Sequence, residues 1–273
     1  MKVAFKLADN TNDKGTGFAG SLHAGSVLSA LELFDIHFGK QQPAQDSLLH
    51  SHVFFKRPIT DDYVIEASLG EPGELGEPNV RCFISDQEGL KVRSIHEWCD
   101  RQESNIHKVS SSLGQNIEAL PNILSTIQKH FPIYSRLSID ALRLYEKGLM
   151  IEQKPHSKSA SDQRTYLMEN TVLAYLAAWS LGSAYGQRVG EVDVLVSKAQ
   201  TWINLENLED GAKRIPVIAI PETRQHIDTL KADLKNTGKA KIELKALAGP
   251  VLLHGLFHVR LKSVTFGDGH VAR

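Results

Sequence analysis

The sequence predicts an α+β protein in which two antiparallel sheets, each wrapped around a long central helix, join into one continuous curved sheet. Three observations carry this. A glycine-rich loop feeds an almost wholly apolar helix over Asn12–Asp35. Strands with alternating polar and apolar residues follow it. The same order of elements then recurs after about residue 137.

Met1 to Ala8 alternates polar and apolar residues, the mark of a half-buried strand. Asn12–Asp35 then places four glycines, Gly15, Gly17, Gly20 and Gly25, within eleven residues. The run Val27, Leu28, Ala30, Leu31, Leu33, Phe34 follows, interrupted only by Ser29 and Glu32. A helix apolar around its circumference must be buried, so something has to wrap it. Leu48 to Arg57 is a strand rich in β-formers, stopped by the turn Pro58-Ile59-Thr60-Asp61-Asp62. Tyr63 to Leu69 makes the next strand, and Glu71 to Pro78 is a proline-glycine-acid loop. Val80–Ser85 and Leu90–Trp98 flank the turn Asp86-Gln87-Glu88-Gly89 as a hairpin.

From Asp100 to Arg136 the pattern changes to a helical connector. Ile117, Leu120, Ile123, Leu124 and Ile127 recur at helical spacing, and Pro121 marks a helix start or a break. The second copy opens with strand material over Leu137–Gln153 and a polar loop to Arg164. A second buried helix follows over Leu167–Leu181, and Val194–Leu205 answers the Leu48 strand. Asn207–Asp210 answers the Pro58 turn, Ile215–Ile220 is a strand, and Pro221–Leu234 a short helix. Lys239–Ala248 and Val251–Lys262 pair across Gly249-Pro250. The best local match between the copies sets Ser26–Phe34 against Thr171–Trp179. The expected organisation is therefore 1–100, a connector 101–136, and 137–273.

Composition excludes several classes of function. A formal net charge of −1 on 273 residues gives no electrostatic case for a nucleic-acid partner. No apolar stretch reaches the ~20 residues of a membrane span, and Met1–Lys6 is too short and polar for a signal peptide. Cys82 and Cys99 lack metal-ligand spacing and suit a reducing compartment. They could face one another on neighbouring strands, but two buried thiols are expected. A cytoplasmic location follows as an expectation. No P-loop, dinucleotide fingerprint or Gly-x-Ser-x-Gly elbow is present.

Particular segments resemble the hotdog family of acyl-thioester enzymes. N-D-K-G-T-G-F-A-G-S-L (Asn12–Leu22) is similar to the loop-to-helix passage of hotdog thioesterases, above all a bacterial thioesterase-like domain often found C-terminal to an acetyltransferase domain. H-V-F-F-K-R-P-I-T-D-D (His52–Asp62) and F-I-S-D-Q-E-G-L-K-V (Phe83–Val92) resemble the family's strand-turn and last hairpin. In the second half, T-G-K-A-K-I-E-L (Thr237–Leu244), H-G-L-F-H-V (His254–Val259) and the helix with Trp179 resemble the same domain. The resemblance implies a double hotdog that binds an acyl-CoA or an acyl carrier protein. It implies hydrolysis without cofactor, CoA entering only as part of the substrate, in a monomeric pseudo-dimer or a homodimer. The chain departs from the family where many hotdog thioesterases carry an acid, near Val27, and in the second loop, which reads D-Q-R-T-Y-L-M-E-N.

Thioester hydrolysis needs a polarised carbonyl and an activated water or carboxylate nucleophile. Backbone N–H groups at a buried helix N-terminus supply the first, which singles out Gly20 and Ser21. Gly17 would let a thioester approach, and Asn12, Gly15 and Thr16 share its loop. Asp13 is a candidate base or nucleophile, weighed against a turn-making role. Glu169, at the start of the second helix, is slightly favoured over it, on the expectation that it faces the Gly20 loop. His23 offers a dehydratase-type base, but Glu32 lies two and a half turns away, so any acid partner must be Glu169 or Asp162. Lys56, Arg57 and Arg81 could meet CoA phosphates. His50 with His52, and His254 with His258, each share a strand face, but no carboxylate joins either pair at a recognisable spacing and no metal site is expected. Three functions follow in order: an acyl-thioester hydrolase, a 3-hydroxyacyl-thioester dehydratase or hydratase, and a non-catalytic acyl-CoA-binding protein.

Overall fold

The computed structural model describes residues 1–38, 47–71, 78–100, 113–153, 163–205 and 217–262. The first half runs from strand β1 (Lys2–Phe5) through a short 3-10 turn to helix α1 (Ala19–Phe38). Strands β2 (Ser47–Phe55), β3 (Tyr63–Leu69), β4 (Asn79–Asp86) and β5 (Gly89–Asp100) complete it. The connector contributes β6 (Asn116–Ala119), α2 (Pro121–His130) and α3 (Tyr134–Leu137). The second half has β7 (Ile139–Tyr145), β8 (Gly148–Gln153), α4 (Gln163–Gln187), β9 (Val192–Ile203), β10 (Val217–Pro221), α5 (Gln225–Thr237), β11 (Lys239–Ala248) and β12 (Val251–Leu261).

These strands form one antiparallel sheet in the order β1-β3-β4-β5-β2-β9-β12-β11-β10-β8-β7-β6. Read outward from the β2–β9 seam, the two halves repeat the same order, β2-β5-β4-β3-β1 and β9-β12-β11-β10-β8. Strands β7 and β6 extend the second half alone. This is the predicted repeat, with the two halves related by a pseudo-two-fold axis through the seam.

The helices are buried because the sheet curls over them. Helix α4 hides nearly every residue from Asn170 to Gly186, and α1 hides Leu22, Val27, Ala30, Leu33 and Phe34. The two run antiparallel: His23 near the start of α1 touches Tyr175 in mid-α4, while Asp35 near the end of α1 lies 3.6 Å from Arg164 at the start of α4. Gly20 sits at their crossing. A Cβ there would lie 2.6 Å from a ring carbon of Phe18 and 3.0 Å from Cβ of Tyr175. Gly20→Val is therefore expected to cost about 2 kcal/mol or more through overpacking, read as a lower urea midpoint.

Two element assignments and the burial of one cysteine differ from the sequence reading. Ile117 lies on β6 rather than a helix and is exposed, because β6 is an edge strand paired only with β7. The helix expected from Pro221 starts at Gln225, since Pro221 ends β10 paired with Leu244, and α5 stops at Gly238 in a left-handed conformation. Cys82 and Cys99 do lie on neighbouring strands, but Ser94 stands opposite Cys82 and Leu48 opposite Cys99. Cys82 is buried and Cys99 half-buried, so only one of the two thiols meets the buried expectation in full. Asn207–Asp210 and the loop before α4, including Asp162, lie outside the described residues.

Candidate active site

The seam between the halves opens at one end. Strand β2 pairs with β9 from Leu49–Ile203 to Phe54–Lys198, then follows β5 alone, with Lys56 N–H donating to Lys91 C=O at 2.8 Å. At that point β9 carries a bulge: Lys198 faces Leu256, Val196 faces Phe257, and Ser197 is left without an opposite number. A bulge bends its strand and re-aims a side chain. The gap between the departing β2 and the first half of β9 becomes a cleft of about 270 Å³.

The cleft floor is apolar and aromatic. Phe18, Leu22, Phe55, Ile59, Phe131, Tyr175, Trp179 and Phe257 line it. Phe131 packs edge-on against Phe18 at 5.2 Å and Trp179 at 5.4 Å. The rim carries Asn12, Thr16, Lys56, Arg57, Ser197, His258 and Arg260. Both halves and the connector contribute.

Of the predicted loop and helix-start residues, Asn12, Thr16 and Gly17 line this cleft, and Asp13, Gly15, Gly20 and Ser21 do not. Asn12 is the turn-maker: its Oδ1 accepts from the N–H of Lys14 (2.9 Å) and of Thr16 (3.1 Å). Gly15 takes φ +70°, which a side chain would resist. Gly17 approaches Ile59 rather than open space, donating to its carbonyl at 2.8 Å, and a Cβ would lie 2.9 Å from that of Ile59. Arg57 is at the rim, as is Lys56, whereas Arg81 lies on β4 and does not line the cleft. Asp13 is half-buried on the same loop. Burial raises its carboxyl, with Asp193 adding to the effect and Lys14 and Lys262 opposing it.

Helix α1 points its N-terminus at the cleft. Its first internal bond is Leu22 N–H to Phe18 C=O at 3.0 Å, so the N–H groups of Ala19, Gly20 and Ser21 precede the helical ladder. Phe18 has no side-chain acceptor to cap them. The Ser21 hydroxyl is buried without a hydrogen-bond partner among the described residues.

Two expectations are overturned. Glu169 does not face the Gly20 loop. With α1 and α4 antiparallel, it lies toward the second half of α1, six residues or about 9 Å along α4 from Tyr175, against which Gly20 packs. His23 does bind the second half, but not an acid: Nδ1 meets the Tyr175 hydroxyl at 2.9 Å and Nε2 meets Thr201 Oγ1 at 3.4 Å. It is fully buried, and burial depresses its pKa to about 3. Nearby His96, also pushed well down by burial, bonds Ser51 and Ser94. Val27, where the family carries an acid, has no exposed surface at all and belongs to the core.

Ser197 and His258 form a pair that sequence reading did not assemble. His258 Nε2 lies 2.9 Å from Ser197 Oγ, and Ser197 can donate to Leu256 C=O at 3.4 Å. Burial lowers the His258 pKa, reinforced by Lys241 and Arg260, so the ring is neutral at pH 7. The bulge that sets Ser197 beside His258 has no local signature. Tyr175 did leave one, a phenol midway along an apolar helix, whose hydroxyl needs a partner once buried.

A sheet of this order curled over two antiparallel helices has close structural counterparts. The dehydratase domain of a trans-AT polyketide synthase from Brevibacillus brevis superposes with a TM-score of 0.58 at 11% identity, over 96% of this chain and 93% of that one. The PpsC dehydratase domain from Mycobacterium tuberculosis, solved with C12:1-CoA, gives 0.56 at 10% identity, covering 95% and 92%. A tesB protein from Mycobacterium avium subsp. paratuberculosis gives 0.54 at 10% identity, covering 95% and 92%. The chain is a double hotdog. Residues 1–91 of the double hotdog match the family model described as "Putative thioesterase (yiiD_Cterm)". No curated protein sequence matches it. At these identities the structural likeness speaks for the fold, so the chemistry has to come from the cleft. Among the described residues, no helix is long and apolar enough to cross a membrane.

Proposed function

We propose that this double hotdog hydrolyses an acyl-CoA thioester in the cleft at the N-terminus of α1. The observation that carries the reading is the cleft's division into an aromatic floor and a basic rim beside free helix donors. An acyl chain suits Phe18, Phe131, Trp179 and Phe257. The CoA phosphates suit Lys56, Arg57 and Arg260. The thioester carbonyl between them lies by the N-terminus of α1, where Ala19 lines the cleft and its N–H precedes the helical ladder, and the helix dipole favours the developing oxyanion.

His258, turned to the opposite face of β12 from buried Phe257 and Val259 and lining the cleft at its rim, serves as general base in place of Glu169. Its neutral ring takes a proton from water as the water oxygen attacks the carbonyl carbon. The C–S bond then breaks, and the thiolate leaves with that proton returned from the imidazolium. Ser197 holds the ring by its 2.9 Å bond. Asp13, nearest of the predicted carboxylates to the loop, is the alternative base. The family match over the first half supports the thioesterase reading. The dehydratase reading loses the histidine that the sequence offered for it. His23 is sealed in the core with hydroxyl partners alone among the described residues.

The test is free-thiol release from acyl-CoAs of several chain lengths, run beside conversion of 3-hydroxyacyl-CoA to enoyl-CoA. Thiol release supports the proposal. Dehydration without it replaces the proposal with the second reaction, and binding without turnover with a carrier role. Removing rim charge gives a further readout. Arg57→Glu and Arg260→Glu are each expected to raise KM about tenfold, the scale of one charge-assisted contact, with kcat little changed. An unchanged KM would move the phosphates elsewhere.

A further inference from the structure

The outer face of the sheet, away from the helices, carries chemistry that the cleft does not use. On β2 the odd residues Leu49, Ser51 and Val53 turn inward and are buried, which leaves His50 and His52 facing out. Strand β5 brings Glu97 directly opposite His50 in the ladder. The two histidines alone lack a third donor. Strand pairing supplies the carboxylate from a segment far along the chain.

The three side chains converge. One ligand atom from each of His50, His52 and Glu97 lies within 4.8 Å of the other two. His50 Nδ1 is 3.3 Å from Glu97 Oε1, and the two imidazole rings stand 4.3 Å apart between centroids. Donors bound to one tetrahedral zinc at about 2.0–2.1 Å are spaced about 3.3 Å from each other. The first pair already has that spacing, and a rotation of His52 brings the third donor in.

Neighbouring groups hold the ligands as an outer shell would. Trp202 of β9 stacks on His50 at 4.9 Å with planes 15° apart, fixing the ring. The Gln200 amide lies 3.1 Å from His52 Nδ1 and can turn its oxygen to accept from that nitrogen, leaving Nε2 for a metal. The second nitrogen of His50, Nε2, is buried with no hydrogen-bond partner among the described residues. A hollow of about 200 Å³ lined by His52, Phe54, Lys198 and Gln200 gives access from solvent.

We propose that His50, His52 and Glu97 form a binding site for a divalent transition metal on the outer face of the sheet, beside the β2–β9 seam. Two imidazoles and one carboxylate suit zinc and its borderline neighbours such as cobalt and nickel, and not magnesium or calcium. Three protein donors leave a coordination position for water or an outside ligand. A metal there clamps β2 to β5 next to the joint between the halves.

The full chain, stripped with a chelator and dialysed, is titrated with Zn²⁺ against a coloured chelator, and separately with Co²⁺ while its visible spectrum is followed. One Zn²⁺ per chain is expected, with Co²⁺ bands of a four- or five-coordinate ion and a thermal midpoint that rises on adding metal. Glu97→Gln should weaken Zn²⁺ binding about tenfold or more, and His52→Gln/Glu97→Gln together should abolish the Co²⁺ bands and the thermal shift. Circular dichroism and the metal-free midpoint of each variant are compared with the parent first. If the double variant does not fold, Glu97→Gln alone decides by its Co²⁺ spectrum. The proposal is overturned if the parent takes up no stoichiometric Zn²⁺, or if the variants keep the parent's affinity and spectrum. Retention by the double variant would place any bound metal on the chain's other histidines. His37→Gln, on an exposed turn of α1, should leave binding unchanged.

Discussion

His258→Ala is expected to lower the rate of thiol release from acyl-CoA at least ~100-fold, the usual contribution of a positioned general base. The substrate's acyl chain and phosphates rest on other residues, so KM should change little. Ser197→Ala should show a smaller loss, because it frees the ring without removing it. The pH profile gives a signature that a structural role would not. Catalysis needs the neutral ring, and burial with Lys241 and Arg260 holds its pKa below that of an ordinary imidazole. Activity should therefore persist to mildly acidic pH in the parent, then fall as the ring takes a proton. In Ser197→Ala that acid limb should move. If His258→Ala retained full turnover while Asp13→Asn lost it, the base would be the carboxylate of the Asn12–Gly17 loop.

The second large effect concerns stability in acid. His23 is neutral in the folded protein down to about pH 3, while in the unfolded chain it titrates near 6.5. Between those values the unfolded state holds a proton that the folded state refuses. The stabilisation is thus complete above about pH 6.5 and is lost as pH falls toward 3, at up to about 1.4 kcal/mol per pH unit. Going from pH 7.5 to 5.0 should cost about 2 kcal/mol through this residue alone. Urea unfolding at the two pH values measures it. His23→Gln should be less stable than the parent at pH 7.5, having broken the link between Tyr175 and Thr201, yet should lose about 2 kcal/mol less on acidification. Equal pH dependence in both proteins would show that His23 is not sealed as the structure has it.

His23 also shows why the site was harder to read than the fold. Its place in a glycine-led, apolar helix made it a natural candidate base. A histidine with no exposed surface, bonded to a phenol and a threonine, instead joins α1 to α4 and β9. The need to satisfy a buried polar atom and the need to touch substrate select the same residue type. Sequence cannot separate them. Gly20 carries a similar lesson, for its missing side chain is required by Tyr175 and Phe18, whatever its N–H does in catalysis.

What the chain's own pattern decided was the architecture. Apolar helices at Val27–Phe34 and Leu167–Leu181 can persist in water only under a cover, and the alternating strands after each supply one. Those are local periodicities, legible residue by residue. The direction of α4 against α1 was not legible, and it moved Glu169 away from the Gly20 loop. The pairing of strands distant in sequence was not legible either. It set Ser197 beside His258 through a bulge, brought Phe131 from the connector to the cleft floor, and placed Glu97 against His50. Such juxtapositions are decided when the two halves close on a shared seam. The physical reason is that burial selects a packing of whole elements, and individual functional neighbours follow from that packing rather than from their spacing along the chain.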